Sequence, residues 1–373
     1  MQGLLINWFK KNRRDLPWRR TYDPYHVWIS EIMLQQTQMA RGVCYFNRWV
    51  VRFPDVAVVA SAGQQEILKY WEGLGYYSRA RNLHRAAKVI VADFDGEVPS
   101  DYDRLIQLPG IGPYTAAAIA SVAGNHDIAV IDANVIRVYA RLFDIDGPVK
   151  EKKARDQIIK KADELLPKGR ARLYNQALME LGGLVCTPRL PKCNSCILSG
   201  FCLAFKRGTV GERPVTVKAK RITTVHRVAG IILHRGRFLL LQRRESDLWG
   251  GLWEFPGGKL DEGEGSETVA KKILNCTGLK VDVVDPITTV THHYTRYRST
   301  LHCFHCTLKG DDVEPTLNGA EDYRWVSRDE LERFGLPAGP RKLLEYIQKH
   351  RPALLEAIIE ADIPAEQGSD LSL

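Results

Sequence analysis

Residues 108–118 read LPGIGPYTAAA, and the reading of this stretch decides how the first half of the chain folds. Gly and Pro each weaken a helix interior, by about 1 and about 3 kcal/mol relative to Ala. Here two of each surround one Ile, directly ahead of the strong helix former TAAAIASVA. That combination builds a tight turn between two helices. A hairpin of this kind leaves unpaired backbone N–H groups at the start of its second helix, and these, with the helix dipole, suit a phosphate oxygen. Gly110 and Gly112 are expected to permit the turn and a close backbone approach, and Pro113 fits the first helical position. A plain helical corner is the alternative reading of the same residues.

Outward from the hairpin, PYHVWISEIMLQQ and QEILKYWEGL carry apolar residues at three- and four-residue spacing, so the pattern is helical from Leu4 to about Ala204. From about Val225 the texture changes. RVAGIILHRGRFLLLQRR reads as two short strands around a His-Arg-Gly-Arg turn, a hairpin signal. VDVVDPITTV and STLHCFHCTL are further strand candidates, and SRDELERF opens a late helix with a capping box from Ser327 to Glu330. KRGTVGERPVTVKAKR, aperiodic and rich in Lys, Arg, Gly and Pro, reads as a linker. The expected division is a first domain over 1–205, a linker over 206–224, a second domain over 225–363 and a polar tail over 364–373.

The chain has 373 residues and a net charge of +9, enough length for two or three cores and a weak pointer to a polyanionic partner. The start, MQGLLINWFKKNRRDLPWRR, has basic residues after a short apolar patch instead of before it, unlike a signal peptide. No apolar run approaches the ~18 residues that span a bilayer. A cytoplasmic location is expected, where the eight cysteines serve as metal ligands or free thiols and not as disulfides.

Four of those cysteines crowd into CTPRLPKCNSCILSGFC: Cys186, Cys193, Cys196 and Cys202, spaced C-x6-C-x2-C-x5-C. Four thiolates this close suit a tetrahedral soft metal or an iron–sulfur cluster. Zinc ribbons usually pair two short clips; here only one spacing is short, which favours [4Fe–4S]. Arg189 and Lys192 sit within the first loop, available to a DNA backbone or merely solvated.

Two carboxylates stand out. Asp132, in AVIDANVIRVYARL, lies between apolar runs and is either a helix N-cap or a functional group, or both. Glu31 lies in the largely apolar VWISEIMLQQT, and Glu is rarely buried without a reason. Such a pair suits glycosidic chemistry, one group protonated as acid and the other ionised beside a developing oxocarbenium ion.

The hairpin, the Asp and the cysteine spacing together resemble the helix–hairpin–helix DNA glycosylases of the endonuclease III superfamily. SEIMLQQT, WEGLGYYSRARNLH, LPGIGPYTAAA and NQALMELGGLVCTPRLPKC are similar, more narrowly, to the adenine DNA glycosylases of the MutY family, which remove adenine mispaired with 8-oxoguanine. The resemblance implies a multidomain chain: an all-α helix–hairpin–helix glycosylase domain with an iron–sulfur cluster loop, then an α+β Nudix-like domain. It implies one [4Fe–4S] cluster on the four cysteines, duplex DNA bearing 8-oxoguanine·adenine or guanine·adenine mispairs as partner, a monomer, and association with the nucleoid. Glu31 would protonate the leaving adenine, Asp132 would stabilise the sugar cation and help deliver water, and Asn134 and Tyr114 would hold these groups. Trp18 and Arg19 would line the adenine pocket. Gln36, Thr37, Leu74, Tyr76 and Ser78, with Gly110 and Gly112, would contact or wedge the duplex as the base is extruded. Tyr114 stands where the strand-cleaving branch carries Lys, and a phenol cannot form a Schiff base, so a monofunctional enzyme is implied. Ala133 departs from the family's Gly by one methyl group.

In the second half, LWGGLWEFPGGKLDEGEG looks like the start of a Nudix box. Its helix, VAKKILNCTGL, puts Lys272, Ile273, Asn275 and Cys276 where magnesium-binding carboxylates belong. A hard Mg²⁺ site needs those oxygens, so an inactive Nudix-like domain is expected. In the family this domain contacts 8-oxoguanine through Phe-Ser-His; here Tyr294, Thr295 and Arg296 correspond, with Arg a departure. HCFHC (302–306) invites a zinc reading, but an alternating strand turns its Cys and His to opposite faces.

Overall fold

The computed structural model describes residues 1–216, 222–294, 296–310 and 313–356. Part of the expected linker (217–221), Thr295 and the whole polar tail lie outside the described residues. Two compact units are present, one formed by 1–62 and 82–219, the other by 63–81 and 220–373. No described helix is long and apolar enough to cross a membrane.

The first unit is helical. Its core joins Leu5 and Phe9 of the helix Gln2–Asn12, Val135 and Tyr139 of Ala133–Leu142, and Tyr174 and Leu178 of Ala171–Leu184. Each fully buried large side chain contributes about 1.5–3 kcal/mol to folding. The quoted stretch is a helical hairpin, Tyr102–Leu105 followed by Pro113–Val122. Asp101 caps the first helix by accepting from Arg104 N at 2.9 Å, and Ile111 is buried while its N–H donates to the Leu108 carbonyl. Gly110 has φ +78°, and a Cβ there would come 2.5 Å from Asn82 Cβ, so both backbone and space demand glycine. Gly112 differs from the expectation. Its φ is −92° and a Cβ would meet nothing within 4 Å, so the turn itself does not require glycine there.

Residues 206–216, placed by the sequence in a linker, are fastened to the helical unit. Arg141 Nε donates to the Arg213 carbonyl at 3.0 Å, Arg213 pairs with Asp144 at 2.9 Å, and Pro148 bridges Val215. A charged, aperiodic segment can thus still be ordered by arginine and carboxylate partners.

The second unit is a mixed sheet with strands β1 (Thr223–His234), β2 (Arg237–Arg243), β3 (Trp253–Glu254), β4 (Gly257–Lys259), β5 (Val281–Tyr294), β6 (Tyr297–Leu308) and β7 (Ala320–Val326). The path runs β3-β2-β1-β6-β5, with β4 on β1 and β7 on β2; β1 and β6 are parallel. The predicted β1–β2 hairpin closes through Arg235 and Gly236, both at positive φ (44° and 72°), as a two-residue turn matched to strand twist requires. Both faces are covered. Ala229, Ile231, Phe238 and Leu240 pack with Leu343 and Ile347 of the helix Ala338–His350; Val228, Ile232, Leu239 and Leu241 pack with Val269 and Ile273 of Val269–Thr277. Two-sided burial explains the unbroken apolar run FLLL (238–241). Cys303 and Cys306 belong to these two different cores, so HCFHC is structural. The capping box at Ser327 and Glu330 forms with both of its hydrogen bonds.

Candidate active site

Glu31 sits on the helix Pro24–Leu34, which Asp23 caps by accepting from His26 N at 2.9 Å. Glu31 is 8% exposed. Tyr114, in the first turn of the hairpin's second helix, donates its hydroxyl to Glu31 Oε2 at 3.0 Å. Burial pushes the Glu31 pKa up to about 7; the Tyr114 hydrogen bond opposes this, the Asp132 charge adds to it, and Arg19 opposes it. A carboxyl so placed holds a proton near neutral pH, as a general acid must.

Asp132 is both of the things its sequence position allowed. It is the N-cap of Ala133–Leu142, accepting from Val135 N at 2.6 Å on Oδ1. Its Oδ2 accepts from Asn134 Nδ2 at 2.7 Å, and its charge reaches Glu31 and Tyr114. Burial raises its pKa, while the Val135, Asn134 and Arg137 interactions lower it. The structure thus brings Glu31, Tyr114, Asp132 and Asn134 into one electrostatic neighbourhood.

Three residues that the sequence reading passed over organise this site. Arg137, 8% exposed, donates to Asn134 Oδ1 at 2.8 Å, the Gly182 carbonyl at 2.7 Å and the Cys186 carbonyl at 2.7 Å. It therefore joins Asn134, which holds the Asp132 carboxylate, to the first residue of the cysteine loop. Gly182 permits this approach, since a Cβ there would lie 2.6 Å from Asn134 Cβ. Glu180, 1% exposed, accepts from Arg14 Nε at 2.8 Å and Arg19 Nη2 at 2.9 Å. Burial works against its charge, but the Arg14 and Arg19 hydrogen bonds prevail and bring its pKa down to about 2. Arg141, 3% exposed, donates to the Thr187 carbonyl at 2.7 Å and the Pro188 carbonyl at 3.1 Å, and reaches Cys186 Sγ at 3.4 Å. A signal existed for each: a charged residue at helical spacing within an apolar run, as Glu31 also is.

Trp18 is buried against Phe46, ring centroids 5.1 Å apart, and Arg19 lies over the Phe9 ring at 5.3 Å. Cys186, Cys193, Cys196 and Cys202 line one cavity with Arg141 and Phe205. Among the described residues no three His, Cys, Asp or Glu side chains are grouped to hold a single metal ion. Burial raises the Cys193, Cys196 and Cys202 pKa values, and the neighbouring cysteine charges act in the same direction.

Of the residues expected at DNA, Gln36 is exposed at φ +58° and Thr37 N donates to the Leu34 carbonyl. Tyr76 is 41% exposed at φ +49°, and Ser78 opens the helix Ser78–Asp93. A non-glycine residue at positive φ is strained and is often found at functional loops. Leu74, expected to wedge the duplex, is buried, and its N–H donates to the Trp71 carbonyl.

In the second unit, Lys272 Nζ pairs with Asp261 at 2.9 Å and Glu264 at 2.5 Å. An ammonium thus neutralises carboxylates of the eroded Nudix loop. Tyr294 and Tyr297 pair at the end of the β5–β6 hairpin, rings stacked at 5.3 Å, and Arg296 donates to Tyr297 Oη at 3.1 Å.

Comparison with known proteins agrees with this geometry. Residues 29–168 match the HhH-GPD superfamily base excision DNA repair protein family, and 227–346 match the NUDIX domain. A solved thermostable thymine-DNA glycosylase superposes with a TM-score of 0.50 at 31% identity, covering 55% of this chain and 94% of that one. The helical hairpin and the paired carboxyls therefore belong to a base-excision glycosylase fold. The adenine DNA glycosylase of Buchnera aphidicola subsp. Schizaphis graminum is 31% identical over 344 residues, 92% of this chain and 97% of its own. Those of Rattus norvegicus and Homo sapiens are each 30% identical, covering 93% and 94% of this chain and 78% and 74% of theirs. The chain belongs to the adenine DNA glycosylase family. It is a hydrolase of N-glycosyl bonds that acts in base excision repair by removing adenine.

Proposed function

We propose that this enzyme excises adenine from 8-oxoguanine·adenine and guanine·adenine mispairs in duplex DNA, by base flipping and hydrolysis, and leaves an abasic site. The observation that carries the reading is the Tyr114–Glu31 hydrogen bond of 3.0 Å beside Asp132. Glu31, protonated near neutral pH, gives its proton to a ring nitrogen of the flipped adenine and so converts it into a neutral leaving group. Asp132, held by Val135 N and Asn134, stays ionised to stabilise the oxocarbenium ion and orient water. Tyr114 offers no amine, so the strand is not cleaved.

The hairpin start suits a DNA phosphate: Gly112 as N-cap supplies no side-chain acceptor to the first turn, which leaves those N–H groups to an anion. Trp18 and Arg19 bound the adenine pocket; Gln36, Thr37, Tyr76 and Ser78 meet the duplex, with Leu74 following once it is uncovered. Tyr294, Thr295 and Arg296 read the 8-oxoguanine. Cys186, Cys193, Cys196 and Cys202 hold one [4Fe–4S] cluster. Four sulfurs lining one cavity, with only one short spacing among them, favour a cluster over zinc. When bound, the cluster supplies a rigid staple for the loop that Arg137 and Arg141 grip. The enzyme works as a monomer in the cytoplasm, on nucleoid DNA.

The test is a duplex with one 8-oxoguanine·adenine pair, incubated with enzyme and then treated with or without hot alkali. Breaks only after alkali, abolished by Glu31→Gln, are expected. Breaks without alkali would establish lyase chemistry instead, and no abasic sites would remove the mispair assignment.

A further inference from the structure

The two cysteines of HCFHC are core residues, but its first histidine is not. His302 on β6 lies directly opposite Thr289 on β5, and His226 on β1 lies opposite Thr300, two residues before His302. Side chains two apart along a strand share a face, so His226, Thr289 and His302 stand together on one side of the sheet. On this face the buried Val228 and Cys306 pack with Val269 and Ile273. His226 and Thr289 are exposed and His302 is half-buried, so solvent and its ions reach the group.

The spacing of the two rings decides what they suit. His226 Nδ1 and His302 Nε2 face each other at 3.4 Å, with the ring planes 15° from parallel. An N–H donor prefers an acceptor at about 2.7–3.2 Å, so as a hydrogen bond this contact is long. Two nitrogens on one tetrahedral zinc ion, each at ~2.0–2.1 Å from it, lie roughly 3.3–3.4 Å apart. The observed distance matches the chelate. Thr289 supplies the orientation, because its Oγ1 lies 3.3 Å from His302 Nδ1. An Nδ1–H donated to that hydroxyl leaves the Nε2 lone pair aimed at the gap between the rings. Histidines that bind metals are oriented by an outer partner of this kind.

We propose that His226 and His302 chelate one divalent ion of the zinc class on this face of the sheet, with Thr289 positioning His302. Imidazole nitrogens take zinc, copper or nickel, whereas magnesium and calcium want oxygen. Among the described residues no third His, Cys, Asp or Glu joins the pair, so water fills the remaining positions and the ion exchanges freely. Its effect is to tie β1 to β6, the parallel pair of the sheet. Neither Glu31 nor Asp132 takes part, so this site and the excision chemistry stand or fall separately.

Equilibrium dialysis of the full chain against zinc chloride, with bound metal counted per chain, tests this. The parent, His226→Gln, His302→Gln and the double variant all keep the eight cysteines, so any difference among them reports the histidines. The parent should hold one more zinc ion per chain than each variant. A chelate needs both rings, so each single variant should lose as much affinity as the double variant, about tenfold or more. Thr289→Val should keep the site and weaken it about tenfold. His226 is exposed, so His226→Gln removes no core packing and keeps the test decisive if His302→Gln does not fold. Equal zinc content in the parent and His226→Gln, or single-variant losses that merely add up to that of the double variant, overturns the proposal. Binding unchanged in Thr289→Val overturns the part assigned to Thr289.

Discussion

The Tyr114 hydroxyl and Glu31 Oε2 lie 3.0 Å apart, and this contact tempers the rise that burial imposes on the pKa of the acid. The phenol stabilises the carboxylate form against burial and the Asp132 charge. Tyr114→Phe should therefore raise the Glu31 pKa above about 7. A hydrogen bond to a charged group is worth ~1.5–3 kcal/mol, and 1.36 kcal/mol equals one pKa unit. The alkaline limb of the single-turnover rate should move to higher pH by about one unit. An unmoved limb would show that Glu31 is not the titrating acid.

Glu31 also has a stability cost with a definite sign. Its folded pKa is raised from 4.5 to about 7, so between these values the native state holds more protons than the unfolded one and stability falls as pH rises. Glu31→Gln removes the buried charge. Thermal melts should show the variant more stable by roughly 3 kcal/mol at pH 8, and nearly equal to the parent at pH 4.

Glu180 behaves in the opposite sense. Its pKa is lowered from 4.5 to about 2, so its contribution is present above the unfolded value and is lost as pH falls through the folded one. Glu180→Gln should cost roughly 3 kcal/mol at pH 7. The gap in denaturation midpoint should close as pH falls from about 4.5 towards 2, and a constant gap would refute the ion-pair account.

Arg141→Met keeps the bulk of the side chain but drops the bonds to the Thr187, Pro188 and Arg213 carbonyls. Each buried acceptor left alone costs ~1–3 kcal/mol. If the four cysteines hold the proposed cluster, purified variant should carry less iron per chain by metal analysis and show less visible absorption than the parent. Full iron content would show that the cysteine loop holds its shape without Arg141.

Much of this was legible in the chain because it is local. Gly110, Ile111 and Pro113 act within a few residues of one another, and so do the Asp132 cap on Val135, the Arg235–Gly236 turn and the Ser327–Glu330 box. Their backbone preferences and short-range hydrogen bonds are written directly into residue type. The alternation of Val228, Ala229, Ile231 and Ile232 between two cores is equally a consequence of strand geometry. By contrast, the sequence marked Glu31 as an odd residue in an apolar helix but could not supply its partner. Tyr114 is 83 residues away, and only the packing of the two helices sets the distance and the desolvation that fix its protonation. The same holds for Glu180 and Arg14, 166 residues apart, and for the grouping of 63–81 with the sheet unit. The His226–His302 pair likewise depends on strand register. Residue identity determined the chemistry available at each position and the turns between elements. Tertiary structure decided which of those groups are dry, which charges face them, and hence which proton is held at neutral pH, because burial and Coulomb energy depend on distance in space and not along the chain.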